Sequence, residues 1–136
     1  MDNLPEEILA EKENIENTLK NLTETIERKN KTIIELAAIG TFLHNFYSGI
    51  ENILKQLLKK HGIRIPASQN WHKELLNKSL ETRLIPKELS DELFEYLSFR
   101  HFFIHSYGFK LEEKYLKGLA EKAPNVWKKF IRDIKG

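Results

Sequence analysis

Ile39, Leu43, Phe46, Ile50, Ile53 and Leu57 follow one another at steps of three and four residues. Only an α-helix gathers that spacing on one face. Ala38, Phe42, Leu54 and Leu58 broaden the face. A stripe so wide needs cover from more than one neighbour, so the helix over about 32–61 is expected to be the central element of a bundle. The segment before it carries a narrower stripe, Ile8, Ile15, Leu19, Leu22 and Ile26, with Pro5, Glu6 and Glu7 suited to a helix start. A polar knot, RKNK at 28–31, interrupts the pattern, and Thr32 with Glu35 has the spacing of a capping box. Two helices are therefore expected, with one continuous helix over 5–61 as the alternative. Gly62, after Lys59, Lys60 and His61, is a stop signal, and HGIRIPASQ is the longest loop. A short helix over about 70–80 follows. Pro86 opens another that runs through LFEYLSFRHFFIHS to Gly108. A last helix covers about 111–134, with Pro124 either starting a second piece or kinking the whole. No segment reads as a strand or a repeat. The expected fold is all-α, an up-and-down bundle of four or five helices forming one domain over residues 1–136.

Length and composition bound the function. A chain of 136 residues buries about two-thirds of its unfolded surface. With 40% hydrophobic and 31% charged residues it has enough apolar mass to fold. No run of about 18 apolar residues is present, which excludes a transmembrane helix. Cysteine is absent, and with it disulfides, a thiolate nucleophile and cysteine-ligated metal. The opening MDNLPEEILAEKENIE is acidic where a signal peptide is basic and then apolar, so a cytoplasmic location is expected. The net charge of +2 is unevenly spread. Residues 1–30 hold four basic and eight acidic groups, whereas residues 100–136 hold nine and four. A basic C-terminal third suits a phosphate-rich partner, or is a solvated lysine face.

Within that basic third lies FRHFFIHSYGF, residues 99–109, where Arg100, His101, His105 and Tyr107 interleave with Phe102, Phe103 and Ile104. Arg100 and His105 are five positions apart, which on a helix separates them by about 140° in azimuth and about 7.5 Å in rise. His101 and His105 share a face. Arg100 and His105 converge only if the helix loosens near Ser106–Gly108 or a second copy of the chain contributes. These residue types suit RNA transesterification without a metal. An imidazole takes a proton from a ribose 2′-hydroxyl near neutral pH, and a guanidinium grips the phosphate and offsets its added charge.

The run RHFFIHSY resembles the R-x-x-x-x-H-x-Y signature of HepT, a toxin of the HEPN superfamily of small all-α proteins. Arg100 matches the arginine, His101 the polar position that is often acidic in HepT, His105 the histidine and Tyr107 the tyrosine. The resemblance implies a metal-independent endoribonuclease that is a homodimer. Arg100 and His105 of both copies would form one catalytic cleft on RNA, assisted by His101. It also implies a nucleotidyltransferase antitoxin that transfers AMP onto Tyr107, adding bulk and negative charge beside Arg100. A supporting polar residue on an earlier helix is implied too, for which Glu51 and Asn52 are the candidates.

Other readings of the same residues stay open at this level. His105 could bond a backbone carbonyl, Arg100 could pair with Glu92 or Glu95, and Tyr107 could end a helix as an amphipathic side chain. The same cleft could belong to a non-catalytic HEPN-type module that holds a nucleotide or a partner protein. His101 and His105 have the i, i+4 spacing of metal ligands, but no glutamate of an H-E-x-x-H motif and no third ligand accompanies them. No metal or other cofactor is expected. Trp71 and Trp127 read as bundle-edge packing, His44 and His61 as ordinary histidines, and Phe102, Phe103 and Ile104 as core or dimer contacts.

Overall fold

The computed structural model describes residues 5–105 and 112–135, and they form five α-helices. These are α1 (Glu6–Ile26), α2 (Ile33–Lys60), α3 (Trp71–Glu81), α4 (Lys87–His105) and α5 (Glu113–Lys135). The polar knot does break the chain: Thr32 caps α2, its hydroxyl accepting from the Ile34 N–H while the Glu35 carboxylate accepts from the Thr32 N–H. Hydrogen bonds from Thr32 hold the Glu35 carboxyl below its usual range. Asn30, at φ 54°, turns the backbone just before the cap.

Helix α2 touches all four other helices, as its broad apolar face requires. Each of its six stripe residues is buried, as are Leu54 and Leu58. From α1 the core receives Ile8, Ile15, Leu19 and Leu22. Helices α4 and α5 add Leu93, Tyr96, Phe99, Leu119, Val126 and Phe130. The Tyr96 hydroxyl donates to the Leu119 carbonyl at 2.7 Å, tying α4 to α5. Trp127 lies in the core rather than at the bundle edge, 6% exposed, and its indole N–H donates to Glu16 of α1 at 3.2 Å. Helix α5 runs unbroken through Pro124, so that residue starts no second helix. The proline removes a single internal hydrogen bond, and the strongly one-sided packing of α5 outweighs that loss.

Two helices end in the same way. Past α2, Gly62 N–H bonds the Lys59 carbonyl and Ile63 N–H the Leu58 carbonyl, with Gly62 at φ 76°. Past α3, Arg83 N–H bonds Leu80 and Leu84 N–H bonds Ser79, but here the left-handed position, at φ 63°, is an arginine. A side chain there costs about 1 kcal/mol relative to glycine. Arg83→Gly is expected to raise stability by about 0.5–1 kcal/mol, read as a higher urea midpoint at unchanged slope.

Among the described residues no helix is long and apolar enough to cross a membrane.

Candidate functional site

Helix α4 holds Arg100 half-buried against α2, where buried polar groups gather. Its partner across the interface is α2, and the two helices approach closely at Gly40. A Cβ at Gly40 would lie 2.5 Å from the Phe103 ring, so glycine is what lets that ring sit against α2. Phe103 also stacks on Phe99 at 5.4 Å and faces His44 at 6.3 Å. It is therefore a core contact, and it fixes the rotation of α4 about its axis at the turn that carries Arg100.

That rotation brings the Arg100 charge to Tyr47 of α2, and Glu51 lies one turn further along the same helix. Glu51 is 3% exposed and Tyr47 is fully buried. A buried carboxylate needs hydrogen-bond partners, and Glu51 has one in His72 at the start of α3. The His72 Nδ1 lies 2.8 and 3.0 Å from the two carboxylate oxygens. Asn52, the other candidate from the sequence, points away: it is exposed and its amide donates to Glu11 of α1 at 3.4 Å. Of the two candidates, Glu51 is the one buried on the side of α2 that faces the other helices.

The electrostatics of the pocket are legible in Tyr47. Burial and then the negative charge of Glu51 push its hydroxyl well above the usual phenol range, while the Arg100 charge pulls the other way. The hydroxyl feels Glu51 without making a hydrogen bond of sound geometry, and it is one of the sealed polar atoms left without a partner. Such a group costs about 1–3 kcal/mol. Tyr47→Phe is therefore expected to raise stability by about 1 kcal/mol in thermal unfolding. A loss instead would mean that the hydroxyl bonds Glu51 in solution.

Arg100 carries a second orphan, since its Nε is sealed from solvent and has no hydrogen-bond partner. The pairing with Glu92 or Glu95 does not form. Glu92 accepts from Lys129 at 3.0 Å and Glu95 from Lys122 at 3.3 Å, so these carboxylates bind the lysines of α5. The basic C-terminal third is thereby partly neutralised from within. The Lys122–Glu95 pair is exposed, and such pairs contribute about 0–1 kcal/mol. Hydrogen bonds to Glu92 and Glu88 hold Lys129 above its usual range.

His101 is exposed one residue beyond Arg100 and lines a cleft of about 360 Å³ between α3 and α4, together with His72. His105 is the last residue of α4; its side chain, Tyr107 and the stop at Gly108 lie outside the described residues. Among the described residues no three potential metal ligands come together. The residue that sequence reasoning missed is His72, the partner of Glu51. Its signal was indirect: Glu51 sits on the apolar stripe between Ile50 and Ile53, where a charge demands an answering group.

Residues 38–136 match the family model described as HepT-like protein. The fold is shared with solved structures. A toxin–antitoxin crystal structure with AMP-PNP superposes with a TM-score of 0.80 at 15% identity, covering 98% of this chain and 99% of the other. The tri-AMPylated Shewanella oneidensis HEPN toxin in complex with its MNT antitoxin gives 0.82 at 15% identity, covering 97% and 98%. The Bacillus subtilis cytosolic protein YutE, of unknown function, gives 0.66 at 16% identity, covering 90% and 87%. No curated protein sequence matches the chain.

Proposed function

The chain belongs to the HepT-like family, and from that premise we propose that it is a metal-independent endoribonuclease, the toxin of a toxin–antitoxin pair acting in the cytoplasm. The whole of residues 1–136 serves as one HEPN domain, and two copies face each other so that Arg100 and His105 from both line a single RNA groove. His105 takes the proton of a ribose 2′-hydroxyl. The oxygen attacks the adjacent phosphorus, the bond to the 5′-oxygen breaks, and that oxygen leaves with a proton returned by a His105 imidazolium of the groove. A 2′,3′-cyclic phosphate and a 5′-hydroxyl end result. Arg100 offsets the extra negative charge on the five-coordinate phosphorus. His101 orients the phosphate.

The observation that carries this reading is the state of Arg100, a half-buried guanidinium with an unpartnered Nε and no ion pair among the described residues. Structural arginines at such depth are held by a carboxylate. Here Glu51, Glu92 and Glu95 are engaged by His72, Lys129 and Lys122, which leaves Arg100 for an anion from outside. The antitoxin partner is a nucleotidyltransferase that places AMP on Tyr107. The S. oneidensis toxin of this fold carries three AMP groups in complex with its antitoxin, which supports this part of the proposal.

The test is incubation of purified protein with RNA in EDTA. Cleavage to cyclic-phosphate ends, abolished by Arg100→Ala or His105→Ala, supports the enzyme. Intact RNA under all conditions points instead to a binding module, and co-expression with a nucleotidyltransferase should add AMP-sized mass increments that Tyr107→Phe removes.

A further inference from the structure

We propose that the cleft between α3 and α4 is a nucleotide subsite that seats the residue of single-stranded RNA next to the bond cleaved at Arg100. This takes its ligand class from the nuclease reading above and extends it to a surface of which the signature supplies only His101. The cleft is walled by Asn70, His72, Lys73, Phe94, Ser98 and His101. Its volume of about 360 Å³ falls within the range of small-molecule sites.

Its chemistry is selective. The described lining holds no carboxylate, while Lys73 supplies a positive charge and the His72 ring a polar edge. The neighbouring groove against α5 is larger, about 650 Å³, but Glu95 and Glu112 line it and its Lys122 is already paired with Glu95. With Lys114 also in that lining its carboxylates and lysines balance, whereas the α3–α4 cleft carries Lys73 with no carboxylate against it and suits a phosphate better. Phe94 and Leu97 provide the apolar surface against which a base can rest.

His72 is the built element of the subsite. Glu51, sealed beneath it, accepts from Nδ1 and so fixes both the ring's direction and its tautomer. Trp71 packs on the ring at 3.7 Å and is in turn covered by the Lys55 ammonium at 4.5 Å. The opposite nitrogen, Nε2, has no hydrogen bond among the described residues and is not among the sealed polar atoms. A buried carboxylate that orients an imidazole at the wall of a cleft pre-organises a contact for a ligand. It does little for the apolar core. His101, one residue beyond Arg100 on α4, lines the cleft although Arg100 itself does not, so the cleft opens beside the turn that carries Arg100 and takes the nucleotide next to the one gripped there.

The probe is a short single-stranded oligonucleotide with 2′-O-methyl riboses, which lacks the attacking hydroxyl, titrated into the full-length protein. His72→Gln, whose amide can still bond Glu51, is expected to weaken binding about tenfold. Lys73→Glu, at an exposed position that leaves the fold intact, should weaken it about fivefold and flatten the salt dependence. Lys78→Glu, further along α3 and paired with Glu81, should change it less than about twofold. Cleavage of RNA by wild type with unchanged oligonucleotide affinity in both cleft variants overturns the subsite and leaves the nuclease. Binding that depends on His72 and Lys73, with unmodified RNA left intact, retains the subsite and overturns the nuclease. Absence of binding to wild type overturns the subsite outright.

Discussion

Replacing Arg100 by lysine is expected to cut RNA cleavage about a hundredfold while leaving stability unchanged or slightly higher. The two halves of this expectation come from one atom. Nε of Arg100 is a buried donor with no acceptor, and lysine has no equivalent N–H to leave unsatisfied. Stability therefore gains up to about 1 kcal/mol from removing the orphan, less what the change in packing costs. Catalysis moves the other way. A guanidinium presents a planar fork that holds two phosphate oxygens at once, whereas an ammonium is a single compact charge on a flexible stem. Opposite movement of activity and stability marks a group kept for chemistry at the expense of the fold. Cleavage rates in EDTA and urea midpoints for the same preparation decide it. Cleavage within about threefold of wild type, or a joint fall of both quantities, would remove Arg100 from the catalytic site.

Periodicity carried most of the fold because its physics is local. The α2 stripe, the cap at Thr32, the stop at Gly62 and the opening of α4 after Pro86 each depend on residues within one turn of each other, and the structure has them all. The misjudged features depended on distant partners. Pro124 looked like a break because its cost is local, while the contacts that carry α5 across it come from α1, α2 and α4. Trp127 looked like an edge residue because nothing near it in sequence predicts Glu16, 111 positions away. Arg83 gave no sign of its left-handed backbone, since arginine is a poor residue for that role and only the handover from α3 to α4 imposes it.

The site was legible in a different way. Arg100, His101, His105 and Tyr107 stood out by type and spacing, and the resemblance to HepT rested on them. What surrounds Arg100 was half legible. A glutamate on the buried stripe of α2 calls for a partner, but the sequence offered several histidines and no rule to choose among them. His72 is selected by the handover from the 61–70 loop into α3, which starts that helix with its first turn over Glu51. Asn52, one residue on, turns to α1 instead, because a single helical step rotates a side chain by about 100°.

The strength of the Glu51–His72 contact sets the second large effect. His72→Ala leaves a carboxylate that is 3% exposed without its hydrogen-bond partner, and an uncompensated buried charge costs about 3–5 kcal/mol. Against a total stability of about 5–15 kcal/mol, that loss should bring the urea midpoint down steeply. The cost belongs to the stranded carboxylate and not to the missing imidazole, so removing the charge as well should restore most of it. Glu51→Met combined with His72→Ala is expected to lie within about 1–2 kcal/mol of wild type, more stable than His72→Ala alone. The cycle thus has a coupling of about 2 kcal/mol or more. A His72→Ala penalty under about 1 kcal/mol would mean that water reaches Glu51 through the α3–α4 cleft and replaces the imidazole. A large penalty relieved by Glu51→Met shows that the imidazole is what lets a charge stay buried on the apolar stripe of α2, one turn from the Tyr47 hydroxyl that feels Arg100.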